Sequence, residues 1–169
     1  GAALQAPAER NHIITQSTEH HAVLDPLRKL EKDGWRLTVL NPDSEGFISA
    51  EALGSALDER TFLVSIMAAN NEIGTVQPLD ELGRVAAAAG ALLHCDAAQA
   101  AGKIRLDVES SAISMLSLSG HKFCAPKGVG ALYRRKRGNR VRLAPLALGG
   151  GQEEGIRPGT LNVPGIVGL

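Results

Sequence analysis

Residues 61–67 (TFLVSIM) constrain the fold most, because apolar side chains occupy both of their alternating faces. A strand of that kind needs cover on two sides, which a sheet with one solvated face does not give. Other short runs of strand type lie at residues 12–15 (HIIT), 36–40 (RLTVL), 91–95 (ALLHC), 113–117 (ISMLS) and 129–133 (VGALY). Stretches of helical period separate them. In residues 22–33, Val23, Leu27 and Leu30 share a face before Gly34, and Pro26 predicts a start no earlier than about Val23. Ser49 predicts the cap of a helix running through Asp58, with Ala52, Leu53, Ala56 and Leu57 on one face. Residues 78–89 predict an Ala-rich helix ended by Gly90. Strand and helix thus alternate with short connections. This predicts one compact α/β domain, a mainly parallel mixed sheet with helices on both faces.

Composition narrows the function classes. Lysine plus arginine and aspartate plus glutamate both number 18, so the formal net charge is zero. That removes the simplest argument for a chain-wide nucleic-acid binder or an anionic-membrane binder. Apolar residues make up 44% of the chain, far from the signature of disorder. No apolar run approaches the ~18 residues of a membrane span, and no cleavable signal opens the chain. Cys95 and Cys124 are too few for a disulfide framework and fit a reducing compartment, the cytoplasm. The chain opens at Gly1 without Met and stops at Leu169 within the apolar series Val163, Ile166, Val167. It reads as a piece of a longer protein.

Polar residues collect just past the apolar runs, where ligands sit in open α/β sheets. HIIT is followed closely by Ser17, Thr18, Glu19, His20 and His21, and TFLVSIM by Asn70, Asn71 and Glu72. ALLHC leads to Asp96 and Gln99, and ISMLSLS leads to Gly120, His121 and Lys122. The histidines and cysteines lack metal-ligand spacing, so no metal is expected, and no phosphate-loop glycine pattern follows a strand. A lysine and an aspartate from neighbouring strand ends suit pyridoxal phosphate. That cofactor takes an amine to hold it and a carboxylate to keep its ring nitrogen protonated. Lys122 and Asp96 meet those needs, and Ser119 with His121 offers donors for the phosphate. On residue chemistry alone, a capping Asp96 and a solvated Lys122 remain the competing reading. His94 reads as structural, and Cys95 and Cys124 as small buried or half-buried residues.

Five blocks, HIITQSTEHHAVLD, MAANNEIGTVQPL, HCDAAQAAGKIRLDV, SLSGHKFCAPKGVGALY and GGGQEEGIRPGTLNVPGIVG, occur in that order. They resemble the successive motifs of cysteine desulfurases, fold-type I pyridoxal-phosphate enzymes of the class V aminotransferase superfamily. The resemblance implies that residues 1–169 are part of the cofactor-binding large domain. The family's first phosphate loop, its catalytic cysteine loop, its substrate-carboxylate arginine and its small C-terminal domain would lie outside them. It implies removal of sulfur from L-cysteine, giving L-alanine and an enzyme persulfide for iron–sulfur cluster or thiolation pathways. The isolated chain is then expected to be inactive. A selenocysteine lyase, another class V enzyme, or a non-catalytic α/β remnant are the alternatives.

The same resemblance implies individual roles. Lys122 would be the Schiff-base lysine and, once freed, a general base. Asp96 would pair with the pyridine nitrogen and Gln99 with the ring hydroxyl. His20 would stack over the ring and help move protons. Asn71 would lie near the ring hydroxyl and the substrate carboxylate, while Ser119 and His121 would bind the phosphate. Thr160 would reach the phosphate of the partner subunit's cofactor, which implies a homodimer, and a sulfur acceptor or scaffold protein would be a further partner. Cys124 stands where the family usually has an aromatic. Ala125 stands where glycine is usual, so its side chain is expected to tighten the turn after Lys122. Gln152-Glu153-Glu154 carries one acid more than the common form, with no effect assignable from sequence. The run Arg134, Arg135, Lys136, Arg137, Arg140, Arg142 lacks the interleaved aromatics of a nucleic-acid patch. With Gly138-Asn139 as a turn, it reads as the solvated rim of a hairpin.

Overall fold

The computed structural model describes residues 1–138 and 140–169. Its strands are β1 (His12–Gln16), β2 (Arg36–Leu40), β3 (Thr61–Ser65), β4 (Leu92–Asp96), β5 (Met115–Ser119) and β6 (Gly130–Arg134). Helices α1 (His21–Lys32), α2 (Ala50–Ala56) and α3 (Leu79–Ala88) link the first four strands, and α4 (Val163–Val167) follows β6. The strands form one sheet in the order β2-β1-β3-β4-β5-β6. Every pair from β2 to β5 is parallel, and β6 runs antiparallel to β5. The crossovers through α1, α2 and α3 account for the parallel pairing of β1 to β4 and supply the cover that TFLVSIM requires, and a connection of turns over residues 97–114 returns the chain for the parallel β5.

Alternation along the strands builds two cores. Ile14, Val64, Leu93, Cys95 and Leu116 face one way and pack with Leu53 of α2 and with Leu82 and Ala86 of α3. Ile13, Leu63 and Met115 face the other way and pack with Leu27 of α1, Ala2 and Val141. Leu53, Leu82 and Leu93 are at most 1% exposed, and burying each contributes about 2 kcal/mol. A bulge between the pairs His12–Thr61 and Ile13–Leu63 inserts Phe62 into β3. Phe62 therefore joins Leu63 in the same core and meets Trp35 edge-on, with ring centroids 6.1 Å apart. Two imidazoles, His12 buried and His94 half-buried, tie strands together. His12 shares hydrogen bonds of 2.8 Å with the Thr61 and Thr38 hydroxyls, and His94 shares bonds of 2.8 and 3.2 Å with those of Ser65 and Ser117. Burial pushes the pKa of both histidines down, in keeping with His94 as a structural residue.

Several boundaries differ from the sequence expectation. Helix α1 begins at His21, because the His20 ring nitrogen Nδ1 accepts from the Ala22 amide at 3.1 Å and caps the first turn. Pro26 is carried one turn inside the helix. Helix α2 starts at the expected Ser49 cap but stops at Ala56, since the Asp58 carboxylate is taken by the Arg60 amide and the Thr61 hydroxyl. The expected hairpin turn includes Asn139, which lies outside the described residues. No second strand follows it among the described residues. Instead the Val141 amide bonds to the Arg135 carbonyl at 3.0 Å, and the Val141 side chain is buried in the core.

Three of the six residues of the basic run are held in ion pairs. Arg134 and Lys136 both reach Glu154, at 2.7 and 2.5 Å, and Arg135 pairs with Glu109 at 2.8 Å. Glu154 thus clips the 152–154 segment to the end of β6 and the residues just after it. Glu154 does this from a left-handed backbone that begins at Glu153, with φ of 50° at Glu153 and 58° at Glu154.

Candidate active site

The chain leaves β1 toward β2 and returns to β3 on the far side of β1, so the carboxyl ends of β1 and β3 flank a point where the strand order reverses. Such a crevice is where open α/β sheets bind ligands. His20 follows β1, Asn70 and Asn71 follow β3, Asp96 ends β4, and Ser119 ends β5 just before His121 and Lys122. The structure therefore brings these residues to one edge of the sheet. Pairing continues beyond the strand ends, with the Ile66 amide on the His94 carbonyl at 3.0 Å and the Ala68 amide on the Asp96 carbonyl at 2.8 Å. This holds the 66–71 segment alongside Asp96.

Asp96 is half-buried, and its Oδ1 accepts from the Ala98 amide at 2.9 Å, leaving Oδ2 without a protein donor among the described residues. Gln99 is half-buried and accepts from the Lys103 ammonium at 2.7 Å. The Ser119 hydroxyl meets His121 Nδ1 at 3.0 Å. Asn70 shapes the loop that presents Asn71. Its Oδ1 accepts from the Glu72 and Ile73 amides, and its Nδ2 donates to the Thr18 carbonyl at 3.0 Å. Asn71, His20 and Lys122 are exposed. Thr160 is exposed in the loop before α4, where its carbonyl accepts from Arg157 at 3.5 Å, and no contact among the described residues joins it to Lys122.

Lys122 sits in a 3-10 turn, Gly120–Phe123, closed by Cys124 at φ 72°. The backbone demand thus falls on Cys124 and not on Ala125, whose φ is not positive. Ala125 does crowd the turn from outside, because a Cβ at Gly120 would stand 3.1 Å from its Cβ and 3.0 Å from the Val129 carbonyl. Cys124 is exposed where a buried or half-buried side chain was expected, because it closes a turn at the sheet edge instead of filling the core. A non-glycine residue in this region carries roughly 1 kcal/mol of strain. Cys124→Gly is accordingly expected to raise stability by about 0.5 kcal/mol, and a lowered urea midpoint would show the turn to be unstrained.

Sequence reasoning missed a buried polar layer beneath this edge. Gln16, Glu19 and Gln77 are 0, 5 and 5% exposed. Glu19 Oε1 accepts from Gln16 Nε2 at 3.0 Å and from the Met67 amide. Burial pushes the Glu19 carboxyl up to about 7, with the Asp96 charge adding to the rise and the two hydrogen bonds opposing it. The only signal in the sequence was an acid three residues after a strand-ending glutamine.

The donor set of an amine, a carboxylate with an open oxygen, imidazoles and a hydroxyl fits a phosphorylated carbonyl cofactor. No group of three or more His, Cys, Asp or Glu among the described residues could hold a metal ion. A cleft of about 560 Å³, lined in part by Val23, Leu27, Leu63, Met115 and Leu132, contains none of the strand-end residues His20, Asp96 or Lys122.

Known proteins resemble the chain closely. It is 52% identical over its whole length to a cysteine desulfurase, IscS, of Anaeromyxobacter sp. (strain Fw109-5), covering 42% of that protein. Over 94% of its length it is 54% identical to a mitosomal cysteine desulfurase of Trachipleistophora hominis, covering 36% of it. The chain thus spans about two fifths of the curated relatives it matches. Among solved structures, one described as "SspA in complex with cysteine" superposes with a TM-score of 0.91 at 46% identity, over 99% of this chain and 48% of the other. A NifS-like protein gives 0.92 at 45% identity, over 99% of this chain and 46% of its own. The aminotransferase class-V model matches residues 2–169, and the chain belongs to that family.

Proposed function

We propose that this chain is the cofactor-binding core of a cysteine desulfurase, which takes sulfur from L-cysteine to leave L-alanine and a persulfide. The observation that carries the reading is that His20, Asp96, Ser119 and Lys122 all stand at or just past the carboxyl ends of parallel strands, the side of the sheet that holds the strand-order reversal. Relatives named cysteine desulfurase and a similar structure that binds cysteine support the substrate. Pyridoxal phosphate, when bound, supplies an electron sink for bond cleavage next to the amino-acid α-carbon.

The residues of the chain would divide the remaining work. Lys122 anchors the cofactor through its amine and, released by the substrate amine, moves protons as a general base. Asp96 keeps the ring nitrogen protonated with its free oxygen, and Gln99 bonds the ring hydroxyl. His20 would lie over the ring, Asn71 would take the substrate carboxylate, and Ser119 with His121 would hold the phosphate. Thr160 serves the partner subunit's phosphate in a homodimer. Cys95 does not accept the sulfur, because it is fully buried and burial raises its thiol pKa far above the ordinary range. A cysteine outside residues 1–169 takes that part and passes the sulfur to an acceptor or scaffold protein of a cluster-assembly or thiolation pathway. The unpaired Cys95 and Cys124 support the cytoplasm as its compartment.

The test is to add pyridoxal phosphate, reduce with borohydride and map the labelled peptide. A single adduct on Lys122, lost in Lys122→Ala, is expected. Labels spread over surface lysines, or unchanged labelling of Lys122→Ala, would overturn the reading.

A further inference from the structure

The polar layer beneath the crevice has no part in the roles assigned above, yet it joins the segments that carry them. Gln16 ends β1, Glu19 lies in the connection to α1, and Gln77 precedes α3. Glu19 Oε1 receives Gln16 Nε2 and the Met67 amide, while Gln16 Oε1 receives Gln77 Nε2 at 3.3 Å. Gln77 is itself fixed to the β2–α2 loop, donating to the Gly46 carbonyl at 2.7 Å and accepting from the Ile48 amide at 3.0 Å. Glu19 Oε2 is buried and meets no donor among the described residues.

We propose that Glu19 is a positioning residue for the cofactor site: its buried carboxyl group clips the segment that presents His20 to the segment that presents Asn70 and Asn71. The proposal rests on the desulfurase reading above. Met67 lies three residues before Asn70, and His20 follows Glu19 directly, so one carboxyl oxygen sets the spacing of both sides of the crevice. The bond from Asn70 Nδ2 to the Thr18 carbonyl braces the same two segments from the other end. His20 has little freedom of its own, because Nδ1 is taken by the Ala22 amide. That bond also requires the tautomer with the proton on Nε2.

The clip is also sensitive to pH. From β4 it faces Asp96 and the Cys95 thiol, and from its own segment His20 adjoins it. Gln16, Met67 and Gln77 are neutral. With no cation in this set, the buried carboxyl keeps its proton to about pH 7. Its folded-state value lies above the unfolded 4.5, so its contribution to stability is complete below pH 4.5 and is lost as the pH rises through 7. Ionisation places a second negative charge beside Asp96.

Glu19→Gln keeps an oxygen for Gln16 and Met67 but cannot ionise, whereas Glu19→Ala removes the acceptor. In the cofactor-loaded protein, the visible circular dichroism of wild type is expected to show a step near pH 7. Glu19→Gln should lose that step while keeping the low-pH signal, and Glu19→Ala should bind the cofactor about tenfold more weakly. Amide exchange in the cofactor-free protein tests the clip even if pyridoxal phosphate does not bind, an outcome that would sink the desulfurase reading alone. The Met67 amide should be protected in wild type and Glu19→Gln and open in Glu19→Ala. Equal protection in all three, or an unaltered step near pH 7 in Glu19→Gln, would overturn the proposal.

Discussion

Gly83→Ala is expected to destabilise the fold by about 3 kcal/mol, although alanine is the better helix former. Gly83 lies within α3 and is buried. A Cβ there would stand 1.8 Å from the Ser111 carbonyl oxygen, 2.8 Å from its carbon and 3.3 Å from Leu93 Cδ2. The obstacle is backbone and cannot swing aside. Ser111 is held by its amide bond to the Asp107 carbonyl at 3.2 Å and by its hydroxyl on Asp80, in the first turn of α3. Either α3 must lift and draw Leu82 and Ala86 out of the core, or the segment leading into β5 must shift. The gain of about 1 kcal/mol in helix propensity does not offset either change. Urea unfolding measures the difference, with Gly54→Ala as the control. In α2 the nearest atom to a Cβ at Gly54 is Val85 Cγ1 at 3.9 Å, so that variant is expected to gain about 0.5 kcal/mol. Similar midpoints for the two variants would contradict the close approach at Gly83.

Asp96→Asn, made in the longer cofactor-loaded enzyme of which this chain is proposed to be the core, should leave the fold in place and slow cysteine-dependent alanine formation by about 100- to 1,000-fold. The substituted oxygen still accepts from the Ala98 amide, so the cap on the turn after β4 survives. The negative charge is what disappears. A neutral amide cannot hold a proton on the ring nitrogen, and the electron-withdrawing power of the cofactor falls with it. Rates within about threefold of wild type would remove Asp96 from the ring nitrogen and return it to the role of a cap. Thermal unfolding run in parallel separates a catalytic loss from a folding loss.

Local patterning located the strands well. Residues 36–40 match β2 at both ends, because Gly34 before it and Asn41-Pro42 after it leave no other choice. Where contacts over long sequence distances decide, patterning fails. Ile66 and Met67 are as buried as β3 itself, so the apolar run does not reveal where the strand stops. Glu19 sits among Ser17, Thr18 and His20 and looks solvated, and only the approach of Met67, 48 residues on, shows it to be buried. Gly83 looks like a weak point in a helix until Ser111 is placed against it. Glu154 finds its partners at the end of β6 and just past it, 20 and 18 residues back. The strand-end residues of the site were legible for a simpler reason: each follows an apolar run directly, and the parallel topology carries all those ends to one side.

The order of strands in the sheet also sets a direction of assembly. Among the described strands, β1 and β2 can pair through α1 before β3 is made, and β1 keeps one side open until β3 arrives. From then on β4, β5 and β6 each add beside the strand made just before them. The growing sheet therefore extends along a single advancing margin in the order of translation. Each newly added strand is in turn the exposed margin, and it has to stay shielded from other nascent chains until the next strand covers it.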